Sequence, residues 1–209
     1  METVCEVKDG IRNILIDFDK DSPVKYEFIA STHDDDPLVD ETYGALIYVN
    51  TDDPMHSLKI YKDYSDFIMA VKMGCTKYVP GTHNNERDFI KKLQFFQDKI
   101  KLTRFPTGIV TYHDYIIGQE IPFYKDCINL LNACQKANHV EEIIALYIKC
   151  LEIIKELYDN GIVYFDVHMN NFIVNKDNNV NLIDFDSDYV FSSRYKEKCI
   201  CCKNNRFKT

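Results

Sequence analysis

Polar and apolar positions alternate over short stretches in the first half of the chain and repeat at helical spacing in the second. "VKYEFIAS" places Val24, Tyr26 and Phe28 between polar or charged neighbours, the two-residue period of a strand. "TYGALIYVN" is rich in β-forming residues and ends at "TDDP", a turn signal, before the strand-like "HSLKIYK"; together they predict a hairpin. In the second strand Leu58 and Ile60 face one way and Ser57, Lys59 and Tyr61 the other. Residues 64–73 read as partly helical. "NNERDFIKKLQFFQDKI" predicts a helix, with Asn84 or Asn85 as cap, Glu86 and Asp88 in the first turn, and Phe89, Leu93 and Phe96 on one face. "TGIVTYHDYIIGQEIPFY" predicts two strands around a His113-Asp114 turn.

Beyond "QEIPFY" the texture becomes helical. "INLLNACQKAN" predicts a short helix. "HVEEIIALYIKCLEIIKELYDNG" predicts a long one, with Ile143, Tyr147, Leu151, Ile154 and Tyr158 as its apolar face and Gly161 at its C-terminal cap. "NFIV" and "VNLIDF" then read as a short hairpin around "NKDNN". A strand-rich first half with one helix, followed by a helical half with a late hairpin, is an α+β pattern of two lobes. Residues 1–30 show no clear period. "LIDFD" within them (Leu15–Asp19) reads as a strand or helix edge with Asp17 and Asp19 in water, although the same five letters return at Leu182–Asp186.

The chain has 209 residues, enough for one domain or two small lobes, and 45% hydrophobic with 28% charged residues argues for a globular fold. A net charge of −8 argues against a nucleic-acid binder that works by phosphate neutralisation. No apolar run reaches the roughly 18 residues of a membrane span, and "METVCEVKDG" lacks the pattern of a secretory signal. The eight cysteines, including the late "CICC", lack the paired spacing of a zinc site and read as reduced thiols. These features lead us to expect a cytoplasmic protein, of its own cell or delivered into a host. The sequence sets no oligomeric state.

"GIVYFDVHMNNFIVNKDNNVNLIDFDSD" carries the chemistry. After the long helix a loop presents Asp166 and, five residues later, Asn171, and the second strand of the hairpin delivers Asp184. One carboxylate can take the proton of an attacking hydroxyl, while an amide oxygen and a second carboxylate can hold Mg²⁺ against nucleotide phosphates. The stretch resembles the catalytic and metal loops of the protein kinase-like superfamily, D-x-x-x-x-N followed by D-F-G. The resemblance implies a bilobal kinase-like fold, with an N-lobe over 1–121, a hinge at 122–125 and a truncated C-lobe over 126–209. It implies ATP with Mg²⁺ or Mn²⁺ as cofactors, Asp166 as catalytic base, and Asn171 and Asp184 as metal ligands. It asks for a lysine on the third strand and a glutamate on the next helix, which Lys59 and Glu86 supply. Ser57 matches the small residue two before that lysine, Gly44 the last part of the glycine-rich pattern, and Phe123 a wall of the nucleotide pocket.

The departures from the family are specific. Tyr164-Phe165-Asp166 stands for H-R-D, His168 for the usual lysine, and Asp186 for the last glycine. The acidic "STHDDDPLVDE" replaces the earlier glycines, and no A-P-E-like segment follows. The expected activity is a minimal, atypical Ser/Thr protein kinase acting on a protein substrate. A small-molecule kinase of the aminoglycoside or choline kinase-like type, to which His168 is similar, and a pseudokinase serving as a binding or regulatory module remain alternatives.

Overall fold

The computed structural model describes residues 2–8, 10–17, 26–31, 45–50, 55–61, 86–113 and 115–185. Gly44, Asp19, Asp186, the 64–73 segment, the Asn84 and Asn85 caps, the acidic loop and the "CICC" tail lie outside these residues. The protein is mixed α+β and divides into two compact units, Met1–Gln97 with Phe105–Lys125, and Asp98–Arg104 with Asp126–Thr209.

Among the described residues the first unit is a seven-stranded sheet in the order β1-β2-β6-β7-β5-β4-β3. Its strands are β1 (Glu2–Lys8), β2 (Ile11–Asp17), β3 (Tyr26–Ser31), β4 (Ala45–Asn50), β5 (His56–Tyr61), β6 (Gly108–Tyr112) and β7 (Tyr115–Pro122). The expected β4–β5 and β6–β7 hairpins form, the latter turning through His113 at φ 46°. Residues 2–8 and 10–17, from the stretch without a clear period, form a hairpin whose β2 runs parallel to β6. Gly10, at φ 82°, makes its tight turn. Ile14 and Ile16 are buried there while Val4 and Val7 are exposed, so apolar residues on both faces blur the alternation. The first "LIDFD" therefore lies on a strand as far as Asp17.

Ile14, Ile16, Leu58, Ile60, Tyr61, Val110, Tyr112 and Ile117 form one buried cluster. Helix α1 (Glu86–Gln97) packs on β6 and β2 with Phe89 and Leu93 buried as expected; Ile90 is buried with them, and Phe96 at the end of the expected face is only half-buried. Ser57 and Tyr61 are buried as well as Leu58 and Ile60, because β5 is an interior strand covered on both faces; Lys59 is half-buried.

The second unit holds α2 (Leu130–Lys136), α3 (Val140–Asp159), a single 3₁₀ turn (Met169–Asn171) and a small sheet β10-β9-β8. Its strands are β8 (Ile128–Asn129), β9 (Phe172–Val174) and β10 (Val180–Leu182). The face of α3 expected to point inward is not the buried one. Leu146, Cys150, Ile153 and Leu157 are buried, whereas Tyr147, Leu151 and Tyr158 are exposed. The helix carries two apolar stripes, and β10 packs against it on the other one. No described helix is long and apolar enough to cross a membrane.

Burial pushes the Cys150 thiol up from the usual 9.0 to about 11, with the nearby Cys134 adding to the shift. The thiolate is the reactive form. In the folded protein Cys150 should therefore resist alkylation at neutral pH while exposed Cys5 is labelled, as read by peptide mass mapping. Equal labelling of the two would contradict this burial.

Candidate functional site

The loop that carries Asp166 starts from a well-defined helix end. Gly161, at φ 81°, donates its N–H to Tyr158 O at 2.9 Å, and Ile162 donates to Leu157 O at 2.9 Å. These paired bonds are those of a glycine-closed helix C-terminus, and they satisfy carbonyls that would otherwise be orphaned. Ile162 and Leu157 are both buried, which anchors the first residue of the loop.

Asp166 and Asn171 then meet directly. Asn171, 4% exposed, donates its amide Nδ2 to Asp166 Oδ2 at 2.8 Å, to Asp166 O at 3.0 Å and to the Tyr164 hydroxyl at 2.8 Å. Every one of these bonds uses the nitrogen. The Asn171 Oδ1 atom accepts none among the described residues, which leaves a hard oxygen ligand to offer. His168 Nε2 lies 3.3 Å from Asp166 Oδ2, and His168 Nδ1 accepts from Asn170 N at 3.3 Å. A ring that accepts at Nδ1 carries its proton at Nε2, so the imidazole can donate to the carboxylate while neutral. Both contacts fall on Oδ2. Asp166 Oδ1 accepts none among the described residues.

Asp184 reaches the same neighbourhood through the β9–β10 pairing. Leu182 registers with Phe172, and Ile183 N donates to Asn171 O at 2.8 Å. Thr103 Oγ1 donates to Leu182 O at 3.0 Å and ties the Asp98–Arg104 segment to this strand. Asp184 itself is exposed with φ 64°, a left-handed conformation that non-glycine residues adopt at a cost of about 1 kcal/mol or more, often at functional sites. Phe185 turns back into the unit and packs edge-on against Tyr164, with ring centroids 5.5 Å apart.

Tyr164 is the organising residue. Its hydroxyl accepts from Asn171 and lies 3.3 Å from both Ile183 O and Asp184 O, to which it can donate. One buried hydroxyl thus links the loop of Asp166 to the strand end of Asp184. The sequence marks Tyr164 only as a departure from H-R-D. Its place two residues before Asp166, with Asn171 following, is the only sequence signal for this linkage. His168 likewise enters the site by contact with Asp166.

In the first unit, Lys59 registers with Gln119 on β7 and Ile47 on β4. Glu86 is 2% exposed and accepts a hydrogen bond from Gln119 Nε2. Glu86 is therefore not a surface carboxylate serving only the helix dipole. It is turned into the unit, onto the cross-strand neighbour of Lys59. Gln119 joins these two candidates without any signal in the sequence, because an amide on a strand has no motif of its own. The buried carboxylate of β7, Glu120, forms an ion pair with Arg12, whose Nε lies 2.9 Å away, and accepts a hydrogen bond from Thr107 Oγ1 at 2.6 Å. Ser57 is buried between Val49 and Ile121. Phe123 donates its N–H to Met55 O at 2.9 Å, so that donor is already used.

Among the described residues no three His, Cys, Asp or Glu side chains form a group able to hold a metal. Among the described residues of this loop and strand end, the oxygen donors of the right kind are the Asn171 amide oxygen and the Asp184 carboxylate. Such hard oxygens suit Mg²⁺ or Mn²⁺, which take few protein ligands and complete their shell with phosphate and water. No protein-family model matches this sequence, and no curated protein is significantly similar to it.

Proposed function

We propose that this protein is an ATP- and Mg²⁺-dependent phosphotransferase of the protein kinase-like kind, with a protein Ser/Thr hydroxyl as acceptor. The observation that carries the reading is the Asn171 amide. It spends its nitrogen on Asp166 and Tyr164, and among the described residues its oxygen accepts no hydrogen bond, beside the segment that leads from β10 to Asp184.

The roles follow from the atoms. Asp166 Oδ2 is held by Asn171 and His168, which fixes the carboxylate and leaves Oδ1 to receive the acceptor's proton. As the acceptor oxygen bonds to the γ-phosphorus, the bond from that phosphorus to the ADP oxygen breaks. The proton passes to Asp166 and ADP departs with the bonding electrons. Asn171 Oδ1 and Asp184 would hold Mg²⁺ or Mn²⁺, which neutralises charge on the phosphates. Lys59, oriented from its strand beside Gln119 and Glu86, would pair with phosphate oxygens. On this reading the two compact units are the two lobes, Ser57 and Phe123 line the adenine end, and Gly44 belongs to the phosphate-covering loop. A reducing cytoplasm, of its own cell or a host, supplies ATP and suits the free thiols at Cys127, Cys134 and Cys150.

The contact of His168 with Asp166 favours one second reading, a small-molecule acceptor, because a histidine at that place is similar to the aminoglycoside and choline kinase-like branch. Label from γ-labelled ATP appearing on proteins supports the first reading, and label confined to small molecules supports the second.

A metal-binding role for Asp184 has its own test. Asp184→Ala should weaken binding of Mg²⁺·ATP by about tenfold or more, equivalent to about 1.4 kcal/mol, while metal-free ATP binds as before. Calorimetric titration of both ligands reads the difference. Unchanged affinity for Mg²⁺·ATP would remove Asp184 from the metal site.

A further inference from the structure

The outward stripe of α3 is long and continuous. Val140, Ile144, Tyr147, Leu151 and Tyr158 are 62, 53, 43, 68 and 55% exposed. Ile154 lies in line with them, and Ile148, Leu151, Ile154 and Tyr158 border an almost wholly apolar groove. From 140 to 158 the spacing runs four, three, four, three, four. That is the repeat of a helix that packs along another helix, maintained over the full length of α3. Among the described residues the core of the second unit uses the other stripe and leaves this one exposed.

We propose that this stripe is a homodimer interface, in which α3 of two copies pack antiparallel about a two-fold axis beside residue 149. The sequence of the stripe is complementary to itself in that arrangement and register. Val140 lies opposite Tyr158 of the partner subunit, Ile144 opposite the partner's Ile154, and Tyr147 opposite the partner's Leu151. Each pair is equidistant from position 149; two set a tyrosine against a smaller aliphatic side chain, and the third sets isoleucine against isoleucine. Such a two-fold contact must use the same patch on both copies. The charges agree. Glu141 flanks the stripe near one end and Lys155, which also pairs with Asp159 of its own helix, near the other, both exposed and on the same side of it, so each can face its opposite across the axis, twice per dimer. A parallel pair in register would instead put the two copies of Glu141 on opposite flanks of the seam, a helix length away from either Lys155.

The centre of this interface touches the candidate site. The Tyr147 hydroxyl lies 3.6 Å from Met169 Sδ, next to His168 in the loop of Asp166. The assembly itself needs neither nucleotide nor metal, so its test is independent of the phosphotransfer reading. One helix per copy makes a small interface, for which a reversible, concentration-dependent dimer is expected.

Sedimentation velocity of the full chain over a wide concentration range reads this directly. The expected result is a shift from the 24.5 kDa chain to twice that mass as concentration rises. Leu151→Glu should raise the dissociation constant about thirtyfold or more, the loss expected for a central anchor. Glu141→Lys and Lys155→Glu should each weaken the dimer, and the two together should restore it, which only the antiparallel register predicts. Circular dichroism confirms that each variant is folded. If Leu151→Glu fails to fold, Ile144→Lys and the charge exchange decide. A monomer at every concentration, a dimer indifferent to both Leu151→Glu and Ile144→Lys, or a double exchange that does not restore association would each overturn the proposal.

Discussion

Asp166→Ala is expected to reduce phosphoryl transfer by about 10²–10⁴-fold, the range for losing a positioned general base. The protein should stay folded. Asp166 gives up one hydrogen bond from Asn171 and one contact with His168, while Asn171 keeps the Tyr164 hydroxyl and the backbone carbonyl of residue 166. A single part-buried hydrogen bond is worth about 1 kcal/mol, so the thermal midpoint should move by only a few degrees. Loss of turnover with retained Mg²⁺·ATP affinity separates a base from a binding residue. Full activity in Asp166→Ala would remove this carboxylate from the chemistry.

The second large effect is structural and lies in the other unit. A Cβ on Gly118 would stand 2.0 Å from Lys59 O and 3.0 Å from Lys59 C, which is backbone and cannot swing aside. Gly118→Ala must push β5 and β7 apart at the register that sets Lys59 opposite Gln119. The expected loss is about 1–3 kcal/mol by overpacking, read as a lower urea midpoint. Because the same shift disturbs the Gln119–Glu86 bond beside Lys59, affinity for ATP should fall with it. A variant as stable as the parent would show that β5 and β7 do not approach each other this closely.

The two copies of "LIDFD" show what the sequence discloses and what it does not. Both lie at strand ends in the structure. In the first, Ile14 and Ile16 enter the sheet core and Leu15 faces out on β2. In the second, Leu182 ends β10, Asp184 takes a left-handed turn and Phe185 packs on Tyr164. Neighbouring letters separate them, because only the second follows an Asp166-to-Asn171 loop closed by a glycine-capped helix. Short-range signals of this kind were legible: α1, the two hairpins, the cap at Gly161, and the adjacency of Asp166 and Asn171.

What was not legible depends on contacts distant in sequence. The apolar residues of α3 fit either of two stripes, and the strand that packs on it decides which is core. The β1–β2 hairpin joins the sheet by a parallel pairing with β6, nearly a hundred residues away. Gln119 acquires its place by meeting Glu86 across 33 positions, and Thr103 by reaching Leu182 across 79. Tyr164 looks like a substitution in a motif until its hydroxyl is seen to join Asn171 to the backbone at Asp184.

Transfer of label from γ-labelled ATP is the most direct measurement of the central claim. With Mg²⁺ or Mn²⁺ present and a mixed protein acceptor supplied, the account predicts label on Ser or Thr hydroxyls that depends on the metal and disappears with Asp166→Ala. No transfer to any acceptor under these conditions, or transfer undiminished in the Asp166 variant, would contradict it.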